Sequence, residues 1–113
     1  MPPPALAGRD RGGSAVILER AVLRITPGGA AEFEAAFEHA REVVAQSTGY
    51  GSLRLLRGIE RPDTYLLLIE WDTVADHMEG FRQSELYERW SALLRPHFSA
   101  PPEVEHFTAV IDP

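Results

Sequence analysis

Apolar and polar positions along the chain fall into two periods, and the switch between them lays out the fold. From Ala15 to Ile25 the chain is rich in Val, Ile and Leu, with Arg20 and Arg24 on one side. That pattern predicts a strand, and Pro27-Gly28-Gly29 ends it with turn chemistry. From Ala30 to Gln46 the period becomes helical. Phe33, Ala36, Phe37, Ala40, Val43 and Val44 form a stripe opposite Glu32, Glu34, Glu38, Arg41 and Glu42. Gly49 marks the exit. A second strand is expected from Tyr50 to Ile59, with Leu53, Leu55, Arg57 and Ile59 on one face in the absence of a bulge. Arg61-Pro62-Asp63 turns the chain into a third strand, making a hairpin.

The third strand is apolar on both sides. Tyr65, Leu67, Ile69 and Trp71 share one face, and Leu66, Leu68 and Glu70 the other. Asp72 or Thr73 can cap the helix that follows, on which Val74, His77, Met78 and Phe81 share a face. Gly80 weakens this helix and Gln83-Ser84 breaks it. Ser84 can cap a second piece striped by Leu86, Trp90, Leu93 and Leu94. After the prolines at 96, 101 and 102, Val104 to Ile111 is the last strand. The order β-α-β-β-α-β predicts an α+β ferredoxin-like sandwich with an antiparallel sheet and helices on one face. The second apolar sheet face then needs its own cover. A second copy of the chain, packed sheet to sheet with two-fold symmetry, would supply it.

Composition narrows the chemistry. At 113 residues there is room for one domain, taken as residues 15–113, preceded by a Pro- and Gly-rich arm over 1–14 expected to be disordered. That arm lacks the apolar core of a signal peptide, and the longest apolar run, Tyr65 to Ile69, is too short for a membrane span. A cytoplasmic protein without a membrane partner is the expectation. There is no cysteine, which excludes disulfides, thiolate metal sites and thiol catalysis. All 11 basic residues are arginine, so lysine Schiff bases are excluded too. A net charge of −6 argues against nucleic acid as a partner. No histidine pair with metal-ligand spacing, glycine-rich phosphate loop or GxSxG elbow occurs, so neither a metal nor an organic cofactor is expected.

Four histidines can titrate near neutral pH. His77, beside Phe81 and close to Trp71, can act as a general base or orient a phenol; the plainer alternative is a core histidine bonded to a carbonyl. Trp71 and Trp90 offer aromatic surface for core or pocket. Phe33 and Phe37 fit the core and could also line a pocket. Tyr50 and Tyr65 are candidate hydroxyl donors. His106 shares a face with Val104 and Thr108 and could point into a cavity, an interface or solvent. His39 and His97 read as surface residues.

Glu70-Trp71-Asp72, Ala75-Asp76-His77, Phe81 to Tyr87 and the closing Pro101 to Phe107 together resemble the antibiotic biosynthesis monooxygenase family over about Ala15 to Ile111. The resemblance implies a dimeric α/β barrel. It also implies an oxygenase that uses O2 on a phenolic or quinol-type aromatic without metal, flavin or haem. Trp71 matches the family tryptophan and His77 its common helix histidine. On this reading both are catalytic, and Phe33, Phe37, Tyr65, Phe81, Trp90 and His106 contact substrate. The asparagine that some of these oxygenases use has no counterpart, since the chain contains none. The haem-degrading branch is not expected. Its first-strand asparagine falls at about Ala21, and Ser84 to Leu94 holds no histidine. A non-catalytic dimer that binds a small molecule, or is purely structural, is the alternative.

Overall fold

A computed structural model describes residues 16–112. The expected arm over 1–14 lies outside them. Strands β1 (Ile17–Arg24), β2 (Tyr50–Arg57), β3 (Thr64–Trp71) and β4 (Glu103–Thr108) form one antiparallel sheet in the order β2-β3-β1-β4. Helices α1 (Ala30–Val44) and α2 (Glu85–Leu94) pack on one face. The fold is therefore the α+β ferredoxin-like sandwich expected from the pattern.

Alternation decides which sheet face turns inward. Tyr65, Leu67, Ile69 and Trp71 are all buried, as are Ala21, Leu23 and Ile25 from β1 and its end. Phe33, Phe37, Ala40 and Val44 of α1 close over them. Phe33 packs against Tyr65 with ring centres 4.7 Å apart and planes tilted by 58°, and Phe37 meets Trp90 of α2 edge-on at 5.6 Å. Leu66 and Leu68 lie on the opposite face with Leu18 and Val22, all half-buried in the single chain. Two ion pairs, Arg20–Glu105 and Arg24–Glu103, join β1 to β4 on that outer face.

Several boundaries differ from the sequence pattern. β2 carries a bulge between Tyr50 and Ser52, so Tyr50 stays on the inner side opposite Trp71, and Leu53 re-enters register opposite Ile69. Ile59 falls beyond β2 and is exposed. β4 stops at Thr108, leaving Val110 and Ile111 exposed. The expected helix after β3 is a π-helical turn, Asp76–Phe81, in which the Arg82 amide reaches back five residues to the His77 carbonyl at 2.9 Å. Thr73 caps this turn by accepting the Asp76 amide at 3.0 Å. The expected break follows, and Ser84 caps α2 by accepting the Tyr87 amide at 3.3 Å. Val74, placed with His77 by helical spacing, is exposed.

Candidate active site

The inner face of the sheet holds one glutamate among apolar neighbours. Glu19 on β1 stands opposite Ile69 of β3 on one side and His106 of β4 on the other. Strand alternation makes it follow Ile17 and precede Ala21 on the face under the helices, where it is 5% exposed. A buried carboxyl needs partners. The Trp71 indole Nε1–H donates to Glu19 Oε1 at 2.9 Å. His77 Nε2 lies 3.3 Å from the same oxygen.

The π turn aims His77 down onto this strand pair. Its ring stacks on Trp71, with centres 5.2 Å apart and planes 19° from parallel. Its Nδ1 sits 2.8 Å from His106 Nε2. Glu19, His77 and His106 therefore stand in one row of polar contacts, 3.3 Å from carboxyl to ring and 2.8 Å from ring to ring, with the indole hydrogen bond fixing one end.

Burial sets the charge states of this row. Loss of hydration raises the Glu19 carboxyl from its ordinary 4.5 to about 7, against the opposing pull of the Trp71 hydrogen bond and the Arg82 charge. Burial lowers His77 from 6.5 to about 4, helped by His106 and Arg82, and it lowers His106 as well. Burial thus favours the neutral form of both partners across the 3.3 Å Glu19–His77 contact, because desolvation outweighs the attraction an ion pair would gain.

A cavity of about 620 Å³ opens from this row and runs along α2. Glu19 and His77 stand in its wall beside Ala21, Leu67, Ile69, Phe81, Trp90 and Leu94. Arg82 and Tyr87 add polar groups, and Arg95 lines the cavity from the far end of α2. The Arg82 guanidinium lies 5.4 Å from the Tyr87 ring centre. The size and the mainly apolar wall with few polar groups are those of a small-molecule site.

Of the residues singled out in the sequence, His77, Phe81 and Trp90 line the cavity. Trp71, fully buried, stands behind His77 and holds Glu19. His106 touches His77 from β4. Phe33 is packed in the core away from the cavity, while Phe37 and Tyr65 border a separate hollow of about 350 Å³ between α1 and β2. The Tyr65 hydroxyl donates to Glu34, and burial with that bond raises it to about 12. His97 is half-buried, edge-on to Phe33 at 6.2 Å, where a surface position was expected. Among the polar groups of the candidate site, Glu19, Arg82, Tyr87 and Arg95 are ones that sequence reasoning missed. The available signal was the lone charge in the series Ile17, Glu19, Ala21, Leu23, Ile25. Among the described residues, no group of three or more His, Cys, Asp or Glu side chains is arranged to hold a metal ion, and no helix is long and apolar enough to cross a membrane.

Comparison with known proteins agrees on the fold and the family. YczJ, an uncharacterised protein of Bacillus subtilis strain 168, is 42% identical over 95 residues, covering 84% of this chain and all of that protein. The crystal structure of a proposed antibiotic biosynthesis monooxygenase from Bordetella bronchiseptica superposes with a TM-score of 0.83 at 37% identity, over 86% of this chain and 99% of the other. SnoaB from Streptomyces nogalater, described as a cofactor-independent oxygenase, shares the fold at 21% identity with a TM-score of 0.71, over 87% and 96% of the two chains. The family model for antibiotic biosynthesis monooxygenases matches residues 16–93. The chain belongs to the antibiotic biosynthesis monooxygenase family.

Proposed function

We propose that this protein is a cofactor-independent monooxygenase that oxidises a phenolic or quinol-type aromatic with O2, and that it works as a homodimer. The observation that carries this reading is the position of Glu19: a carboxyl poised near neutrality in the wall of an apolar cavity. A base that titrates near the working pH is the requirement for taking a proton from a weakly acidic phenol. Glu19 accepts that proton. His77 and Trp71 hold its carboxyl in place, and the aromatic rings of Phe81 and Trp90 form walls that exclude water. The Arg82 charge, which already acts on Glu19, favours the substrate anion.

The electron-rich anion then reduces O2 directly. For an anthrone-like substrate, one oxygen atom bonds to the reacting ring carbon, and the second leaves as water with the two hydrogens that carbon loses. The CH2 carbon becomes a quinone carbonyl, giving up four electrons, and O2 takes up four. No outside reductant is needed. The fold shared with SnoaB supports the reading, since that protein is described as a cofactor-independent oxygenase.

The outer sheet face supports the homodimer. Leu18, Val22, Leu66 and Leu68 line it, and Leu56 and Phe107 are exposed there. A second copy laid sheet to sheet would bury this strip.

The test is oxygen uptake by metal-free protein with a panel of anthrones, naphthols and hydroquinones. Quinone formation above the uncatalysed rate supports the reading. Ligand binding in the cavity without uptake would make the protein a binding dimer instead.

A further inference from the structure

The mechanism above uses the cavity end of the Glu19 row and leaves its other end unexplained. That end is His106. It lies on β4, an edge strand, and its ring is half-exposed. It does not line the cavity, yet its Nε2 is 2.8 Å from a buried imidazole nitrogen. A hydrogen bond between two neutral imidazoles needs one ring to donate and the other to accept. The tautomer of each ring is therefore tied to that of its neighbour.

We infer that Glu19, His77 and His106 form a proton relay between the cavity and solvent at the sheet edge, with His77 switching tautomer at each passage. Two arrangements satisfy every contact. With Glu19 ionised, His77 Nε2–H donates to Glu19 Oε1, and His77 Nδ1 accepts from His106 Nε2–H. With Glu19 protonated, its O–H donates to His77 Nε2, and His77 Nδ1–H donates to His106 Nε2, so the His106 proton sits on Nδ1. Release runs outward. The His106 Nδ1 proton leaves to solvent, the His77 Nδ1 proton moves to His106 Nε2, and the Glu19 proton moves to His77 Nε2. One proton leaves the carboxyl and one leaves at the edge. The two rings end with their N–H protons on the opposite nitrogens, and both must return to their starting tautomers, by ring turn and exchange with solvent at His106, before the next passage. Both rings begin and end neutral, which suits their burial.

The charged and titratable neighbours do not break this row. Arg82 acts on Glu19 and His77 from the segment after the π turn, and Tyr87 and Arg95 line the cavity from α2 and its end. Glu103 and Glu105, beside His106 on β4, pair with Arg24 and Arg20 on the other sheet face. The relay explains how a carboxyl sealed under the helices could be reset after each turnover while a substrate fills the cavity.

The test is nitrogen-15 NMR of the histidine rings from pH 5 to 9, which distinguishes the two tautomers. His77 and His106 should switch together with one midpoint near 7, and the switch should vanish in Glu19→Gln. Fixed tautomers across the range in the wild type, or an unchanged switch in Glu19→Gln, would overturn the relay. Its use in turnover rests on the oxygenase reading. There His106→Gln should lower kcat at least about tenfold with KM little changed, and added imidazole should restore part of the loss. Unaltered kcat in that variant would remove His106 from turnover. Coupled tautomers without oxygen uptake on any substrate would leave the relay standing and sink the oxygenase.

Discussion

Replacing Glu19 with glutamine keeps the shape of the side chain and an acceptor for Trp71, and removes the proton that the site binds. In the unfolded chain this carboxyl titrates near 4.5, and in the fold it titrates at about 7. The native state therefore holds the proton more tightly. The stability this contributes is full below about 4.5 and is lost as pH rises through about 7. A gap of about 2.5 pH units at about 1.4 kcal/mol each amounts to roughly 3 to 4 kcal/mol, of which about 3 kcal/mol falls between pH 4.5 and 8. His77 has the opposite sign. Its folded value is lowered from 6.5 to about 4, so its contribution is full above 6.5 and is lost as pH falls through about 4. Between about 4.5 and 6.5 the two slopes oppose each other in the wild type. Glu19→Gln removes one of them. Urea unfolding followed by tryptophan fluorescence, at fixed protein concentration and stepped from pH 4.5 to 8, gives both curves. The difference in unfolding free energy should move in favour of the variant by about 3 kcal/mol as pH rises, because the other titrating groups cancel between the two proteins. Parallel curves for variant and wild type would refute the claim that burial holds this carboxyl near neutrality.

Other substitutions test the parts separately. Trp71→Phe removes the indole donor that holds the Glu19 value down, so the pH midpoint of Glu19 should rise above that of the wild type, read by the same unfolding difference. It should also cost about 1–3 kcal/mol for the lost bond and the smaller ring. Gly49 has φ +83°, and a Cβ there would fall 2.3 Å from the Asp76 carboxylate at the start of the π turn. Gly49→Ala should therefore destabilise the fold by more than about 1 kcal/mol in thermal or urea unfolding. Leu68→Arg, on the outer sheet face, should shift the sedimenting species from dimer to monomer while leaving the circular dichroism of the fold unchanged.

Much of this architecture was legible in the chain because each element carries its own period. Alternation in Tyr65 to Trp71 and the helically spaced stripe from Phe33 to Val44 fix the layers. The same alternation placed Trp71 on the inner face, and the pairing of His77 with Phe81 placed both under the helices. What the chain did not reveal depends on contacts made between distant segments. Glu19 and His106 become neighbours only because β4 joins the sheet beside β1, and no local pattern states that pairing. The π turn looks helical in sequence, because Val74, His77, Met78 and Phe81 keep helical spacing there. Phe33 and Tyr65, both candidate pocket residues by type, pack against one another in the core. Reading β1 as simply apolar hid its one informative residue, the glutamate that alternation sends inward.

In the proposed mechanism Glu19 takes a proton from an aromatic substrate bound in the cavity beside His77. The most direct measurement is oxygen uptake with an anthrone substrate by wild type and Glu19→Gln, each metal-free, from pH 5.5 to 9. The wild-type rate should rise with pH through a midpoint near 7, with quinone and water as products, and the rate for Glu19→Gln should stay close to the uncatalysed one at every pH. A variant that turns over as fast as the wild type, with the same pH profile, would contradict that mechanism.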